Sequence, residues 1–158
     1  DDAALRAAVE RFAEFSGQID VLHYNPSLTT MKSPLELTPD ELLADLSVGV
    51  AGLLSAVQAA LPLMREGGRV IATGSRAADA PWVEAASVGV QKAGLRNLVT
   101  ALDGALAPHG IRAVSVTVNG VLAPGGAFDP AHVADALYAA ATQPVESWRT
   151  EIPFNGAP

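Results

Sequence analysis

Gly67-Gly68-Arg69-Val70-Ile71-Ala72-Thr73-Gly74-Ser75 is followed, after a loop containing Pro81, by Val88-Gly89-Val90-Gln91-Lys92-Ala93-Gly94-Leu95. The first stretch has β-branched residues at its centre and glycines at its start, the pattern of a short buried strand that ends in a serine. The second opens a helical pattern in which Leu95, Leu98, Val99, Leu102 and Leu106 share an apolar side. A serine at the carboxyl end of a strand and a lysine on the following helix are a common way to build a site in an α/β fold.

Outward from this stretch the chain alternates. Leu5, Val9 and Phe12 recur at helical spacing and predict a helix over 2–15, with Gly17 as its stop. A strand is expected over 19–24, broken by Asn25-Pro26-Ser27, and a loop over 28–37. Thr38-Pro39-Asp40-Glu41 is a helix start, with Thr38 as cap and Glu41 three residues on. The apolar stripe through Leu42, Leu46, Val50, Leu54 and Leu61 carries that helix to about Met64, with Pro62 near its end. A strand over 69–73, a loop over 74–81, a helix over 82–107 and a strand over 112–118 come next. The Gly-rich loop 119–128, a helix from Asp129-Pro130 to about Thr142 and an edge strand over 151–154 complete the order. Alternating helices and strands predict an α/β fold with three-layer packing, a mainly parallel sheet and right-handed crossovers.

Composition narrows the function. With 158 residues, of which 49% are hydrophobic, the chain can build one ordinary core. Its formal net charge of -7, with scattered cations, disfavours nucleic acid and anionic membranes. No cysteine is present, which removes disulfides, thiol catalysis and Cys-based zinc sites and fits a cytoplasmic location. No apolar run is read as long enough to span a bilayer. His23, His109 and His132 have no metal-ligand spacing, so no metal site is expected. Asp20, Asp45, Asp79 and Glu84 form no persuasive acid pair. Thr73-Gly74-Ser75-Arg76-Ala77 lacks the Gly-x-Ser-x-Gly setting of a hydrolase nucleophile.

The whole pattern resembles the later part of the short-chain dehydrogenase/reductase family, whose members bind NAD or NADP on a Rossmann fold. The segment 19–27 resembles that family's strand followed by Asn-Asn-Ala-Gly, of which Asn25 is retained. Gln58-Ala59-Ala60-Leu61-Pro62-Leu63-Met64 resembles the end of its central helix, and 67–78 the strand and loop carrying the active serine, here Ser75. Lys92 matches the lysine of Tyr-x-x-x-Lys. Gly110-Ile111-Arg112-Ala113-Val114 resembles the next strand, and 148–156 the closing one.

The resemblance implies catalytic roles for Ser75 and Lys92, and cofactor contacts for Asn25, Ser75, Lys92 and Asn119. It also implies a homodimer or tetramer through the helices over 39–64 and 82–107. Departures are as informative. Val88 stands where the resemblance puts the proton-transferring tyrosine, at the family's usual spacing of 13 from Ser75. Gly49 stands at the asparagine position, and Val118-Asn119 where a Pro-Gly pair is usual. Carbonyl reduction needs a proton donor beside the hydride acceptor, and valine has none. Tyr24, at the end of the first strand, is the candidate for a displaced donor.

The Gly-rich phosphate loop of the Rossmann fold has no counterpart in the sequence, and the chain opens without Met inside a helical pattern. We therefore expect an N-terminal β-α-β portion to be missing. The first strand would then have a bare edge. NAD or NADP binding is expected if upstream residues exist, and no cofactor is expected for the 158 residues alone. Two functions follow: an oxidoreductase-like protein with a degenerate site, or an inactive relative serving as a structural, regulatory or ligand-binding subunit.

Overall fold

The computed structural model describes residues 1–157. Helix α1 (Asp2–Ser16) starts on Asp1, whose carboxylate accepts from the N–H groups of Ala3 and Ala4. It stops at Gly17, whose φ of 77° is a left-handed conformation that suits glycine. Strand β1 (Ile19–Tyr24) follows. Helix α2 (Pro39–Leu46) begins with the reciprocal Thr38–Glu41 capping box read from the sequence. Lys32 clamps this start, its Nζ lying 2.5 Å from Glu41 Oε1.

The helix expected over 39–64 is not uniform. A π-helical turn (Ser47–Ala51) separates α2 from α3 (Gly52–Ala60), and Pro62 sits in a closing 3₁₀ turn (Leu61–Leu63). By length and composition Pro39–Leu63 is sufficient to cross a membrane, which corrects the expectation that no segment is long and apolar enough. In the fold α3 packs on β1 and α1.

Strand β2 (Met64–Ser75) is longer than the predicted 69–73. Its first residues are irregular. Ile19 pairs with Met64 while Val21 pairs with Arg69, so the intervening residues bulge from the ladder. Helix α4 (Ala86–Leu106) starts later than expected, because Val83–Ala85 form a short 3₁₀ turn. Strand β3 (Arg112–Val118), helix α5 (Pro130–Ala141) and strand β4 (Glu151–Phe154) complete the chain as read.

The four strands pair in the order β1-β2-β3-β4 and every pairing is parallel. Among the described residues β1 pairs with β2 alone, leaving its other edge open. One sheet face carries α1, α3 and α4 over a core that includes Val9, Leu22, Leu53, Val70, Leu95 and Val99. The other carries α5 over Ile71, Val114 and Val116. This is the Rossmann-like three-layer arrangement expected. Trp148 braces the second face. Its indole N–H donates to the Ala113 carbonyl at 3.1 Å, and the guanidinium carbons of Arg69 and Arg112 lie 5.2 and 5.0 Å from its ring centroid. Arg112 is itself held by Asp103 through two hydrogen bonds of 2.9 and 2.7 Å.

Candidate functional site

Parallel strands leave a crevice beyond their carboxyl ends. Here Asn25 follows the end of β1, β2 ends at Thr73-Gly74-Ser75 and β3 at Val118. The N-terminal half of α4 adds Lys92 from one side and α5 adds Val133 and Leu137 from the other. Together they line a cleft of about 410 Å³. Of the residues singled out in the sequence, Asn25, Ser75 and Lys92 meet in it. His23, which the sequence did not mark as a site residue, also lines it.

Lys92 is 7% exposed. Its ammonium donates to the Thr73 carbonyl at 2.8 Å, and burial pushes its pKa below the ordinary lysine value. His23 Nε2 shares a 3.0 Å hydrogen bond with Thr73 Oγ1, and burial lowers the imidazole pKa too. Two strands and a helix thus converge on Thr73. The Ser75 hydroxyl accepts from Ala77 N–H at 3.2 Å and caps the turn Arg76–Ala78.

Two other candidates lie apart. Tyr24 is buried, and its hydroxyl donates to the Val48 carbonyl at 2.5 Å in the π-helical turn. It lines a separate cavity with Leu5, Ser47, Gly52 and Ser55, and burial raises its pKa. Alternation explains this: Tyr24 shares a strand face with Leu22, whereas His23 points to the other. Asn119 does not line the cleft. Its side chain donates to Asn155 Oδ1 at 2.7 Å and its N–H to the Phe154 carbonyl at 2.9 Å, fastening β3 to β4.

Sequence reasoning missed a buried polar network beside the cleft. The Asp45 carboxylate accepts from Thr30 N–H at 2.9 Å, Thr30 Oγ1 at 3.2 Å and Ser87 Oγ at 2.5 Å. Gln91 donates to the carbonyls of Leu28 and Asp45, both at 2.9 Å, and accepts from Ser27 Oγ at 2.5 Å. Asp45, Ser87 and Gln91 are all fully buried. The network fastens the loop after β1 to α2 and α4. Gly49 makes room for it, since a Cβ there would overlap the Gln91 side chain. The sequence signal was the run Ser87, Gln91 on the inward side of α4. Its partners, 42 to 64 residues away along the chain, could not be assigned without the fold.

The profile of a family described as enoyl-(acyl carrier protein) reductase matches residues 1–146. No curated protein sequence gives a significant match. Solved structures do. A short-chain dehydrogenase/reductase from Serratia marcescens is 29% identical over 97% of this chain and 72% of its own, with a TM-score of 0.85. A doubly substituted variant of a Serratia marcescens short-chain dehydrogenase/reductase is 33% identical over 75% of this chain and 49% of its own, with a TM-score of 0.70. A metagenomic short-chain oxidoreductase, solved in complex with NADP, is 25% identical over 97% of this chain and 69% of its own, with a TM-score of 0.82. The chain thus spans between about half and three quarters of the length of these relatives.

Proposed function

This chain belongs to the short-chain dehydrogenase/reductase family of oxidoreductases, and from that premise we propose that it is a ligand-binding member in which tyrosine-dependent carbonyl reduction has been given up. The observation carrying this reading is the Gln91 clamp. Gln91 fills the space that an asparagine at Gly49 would need, and of its three hydrogen bonds two hold the loop that follows β1 and one holds α2. Position 88, one turn before Lys92, offers only a half-buried valine. Tyr24, the one displaced donor considered, spends its hydroxyl on Val48 in another cavity. On this reading residues of the usual proton pathway have been replaced by residues that stabilise the fold.

A nicotinamide cofactor, when bound, supplies hydride to a carbonyl carbon. The cleft residues suit one end of such a group: Lys92, Ser75 and Asn25 present polar atoms appropriate to its ribose. These 158 residues include no Gly-x-Gly-x-x-Gly turn to cradle its pyrophosphate, and the Gly-rich loop 119–128 between β3 and α5 lacks that spacing. The fit is therefore partial, and Lys92 and Ser75 are assigned to ligand holding rather than to proton transfer.

The test is oxidation of NADH and NADPH with a panel of aldehydes and ketones. No turnover is expected. The combined replacement Val88→Tyr, Gly49→Asn and Gln91→Ser restores donor and space together, and any activity it gains would show the lost groups to be the cause. Turnover by the unaltered chain that disappears in Tyr24→Phe would overturn the reading. We also propose self-association through α2–α3 and α4, where Leu43, Leu54 and Val90 are exposed; a monomer at all concentrations in sedimentation would refute it. A cytoplasmic setting, with neither nucleic acid nor membrane as partner, remains the reading consistent with a net charge of -7 and no cysteine.

A further inference from the structure

Lys92 presents a charge without a counter-charge. An ammonium has three N–H donors, and one of them is used, on the Thr73 carbonyl. Among the described residues no carboxylate lies within ion-pair distance of it, and no Asp or Glu lines the cleft into which it opens. A buried ion left this way is unfavourable unless something else supplies the opposite charge. Asn25 and Ser75 add uncharged polar atoms to the same lining, Asn25 exposed and Ser75 half-buried. The opposite wall is apolar, formed by Leu122, Val133 and Leu137.

We propose that this cleft binds a small monocarboxylate with an apolar tail, its carboxylate taking the remaining N–H groups of Lys92 and its tail lying against Leu122, Val133 and Leu137. The proposal rests on the reading of the chain as a ligand-binding member and names the ligand class of that same cleft. Charge matching favours a monoanion over a phosphate. Lys92 is the only lysine or arginine among the described lining residues, and desolvation lowers the pKa of the one histidine there, His23, which favours its neutral form. The apolar wall distinguishes an acid with a hydrocarbon chain from acetate or formate.

Hexanoate is the probe, followed by shifts of the backbone amide resonances of the isotopically labelled protein. The resonances of Asn25, Ser75 and Lys92 are expected to move and saturate with hexanoate. 1-Hexanol, with the same tail and no charge, should bind at least about tenfold more weakly, the scale of a hydrogen bond to a charged group. Lys92→Met should weaken hexanoate about tenfold or more and leave hexanol unchanged. Leu122→Ser, at a position 53% exposed and so tolerant of change, should weaken hexanoate but not acetate. Equal affinity for hexanoate and hexanol in the unaltered protein, or shifts confined to another part of the fold, would overturn the proposal without reference to any variant. Carbonyl turnover, measured separately with NADH or NADPH, would overturn the functional reading and leave the hexanoate result standing on its own.

Discussion

Asp45 and Lys92 are both charged and both buried, the first packed against α4 and the second carried on it, yet they are treated in opposite ways. Asp45, fully buried, is met by three hydrogen-bond donors from Thr30 and Ser87. Lys92, 7% exposed, has one backbone carbonyl. The first has its acceptor positions filled from within the chain, which is what a buried structural ion requires. The second keeps donor capacity that faces a cleft. Burial alone does not separate a structural ion from a functional one; the count of partners does.

Removing the saturated ion should give the largest effect. Asp45→Ala strands Thr30 N–H and Ser87 O–H in the interior, and a loss of about 3 kcal/mol is expected, read by urea unfolding. A loss under about 1 kcal/mol would mean that the network is loosely held. Next is Gly49→Asn, which drives a side chain into Gln91. It should cost about 2 kcal/mol by overpacking. Adding Gln91→Ser should return part of that loss, so a double-mutant cycle that comes out additive would break the claim that the two positions share one space.

Lys92→Met should change stability at neutral pH by no more than about 1 kcal/mol, because the ion it removes has little to lose. The sign of its pH dependence sharpens the contrast. Burial lowers the folded pKa below the ordinary 10.5, so between the two values the unfolded chain holds more protons. The desolvation cost is full below the folded pKa and fades as pH rises toward 10.5. The native protein should therefore gain stability on that alkaline limb, and Lys92→Met should lack this gain. His23 gives the smallest effect. Its folded pKa is lowered below 6.5, so stability should fall as pH drops from 6.5 through the folded value, and His23→Gln should flatten that decline in acid titrations of thermal melting.

What the sequence revealed depends on how local the cause is. The start of α2 was legible because Thr38 and Glu41 are three residues apart and satisfy each other. The ends of β1, β3 and β4 were legible because a single turn residue or dipeptide follows each. The π-helical turn was not, since Gly49 reads as a lost asparagine until the Gln91 side chain is seen lying over it. The start of β2 was also misread: Arg65, Glu66 and two glycines resemble a turn, and only the Ile19–Met64 pairing puts that segment in the sheet. For the candidate site, strand ends and Lys92 were enough to bring Asn25, Ser75 and Lys92 together. Tyr24 was misplaced as a donor at the cleft, although alternation along β1 puts it on the face opposite His23. The Asp45 network was out of reach because its members come from three segments that only tertiary packing unites.

The Trp148 brace has an optical consequence. The chain has two tryptophans, and the other, Trp82, is 51% exposed in the loop before α4. Trp148 is partly shielded, hydrogen-bonded, and flanked by two cationic planes whose charge shifts its excited state, whereas Trp82 emits from a mostly aqueous setting. Intrinsic fluorescence is thus a sum of two spectrally distinct emitters. The one at Trp148 reports the sheet, changing when β3 and β4 part, and the one at Trp82 reports the approach to α4. With either indole replaced by phenylalanine, the remaining emission follows one end of the molecule through unfolding or titration without any attached dye.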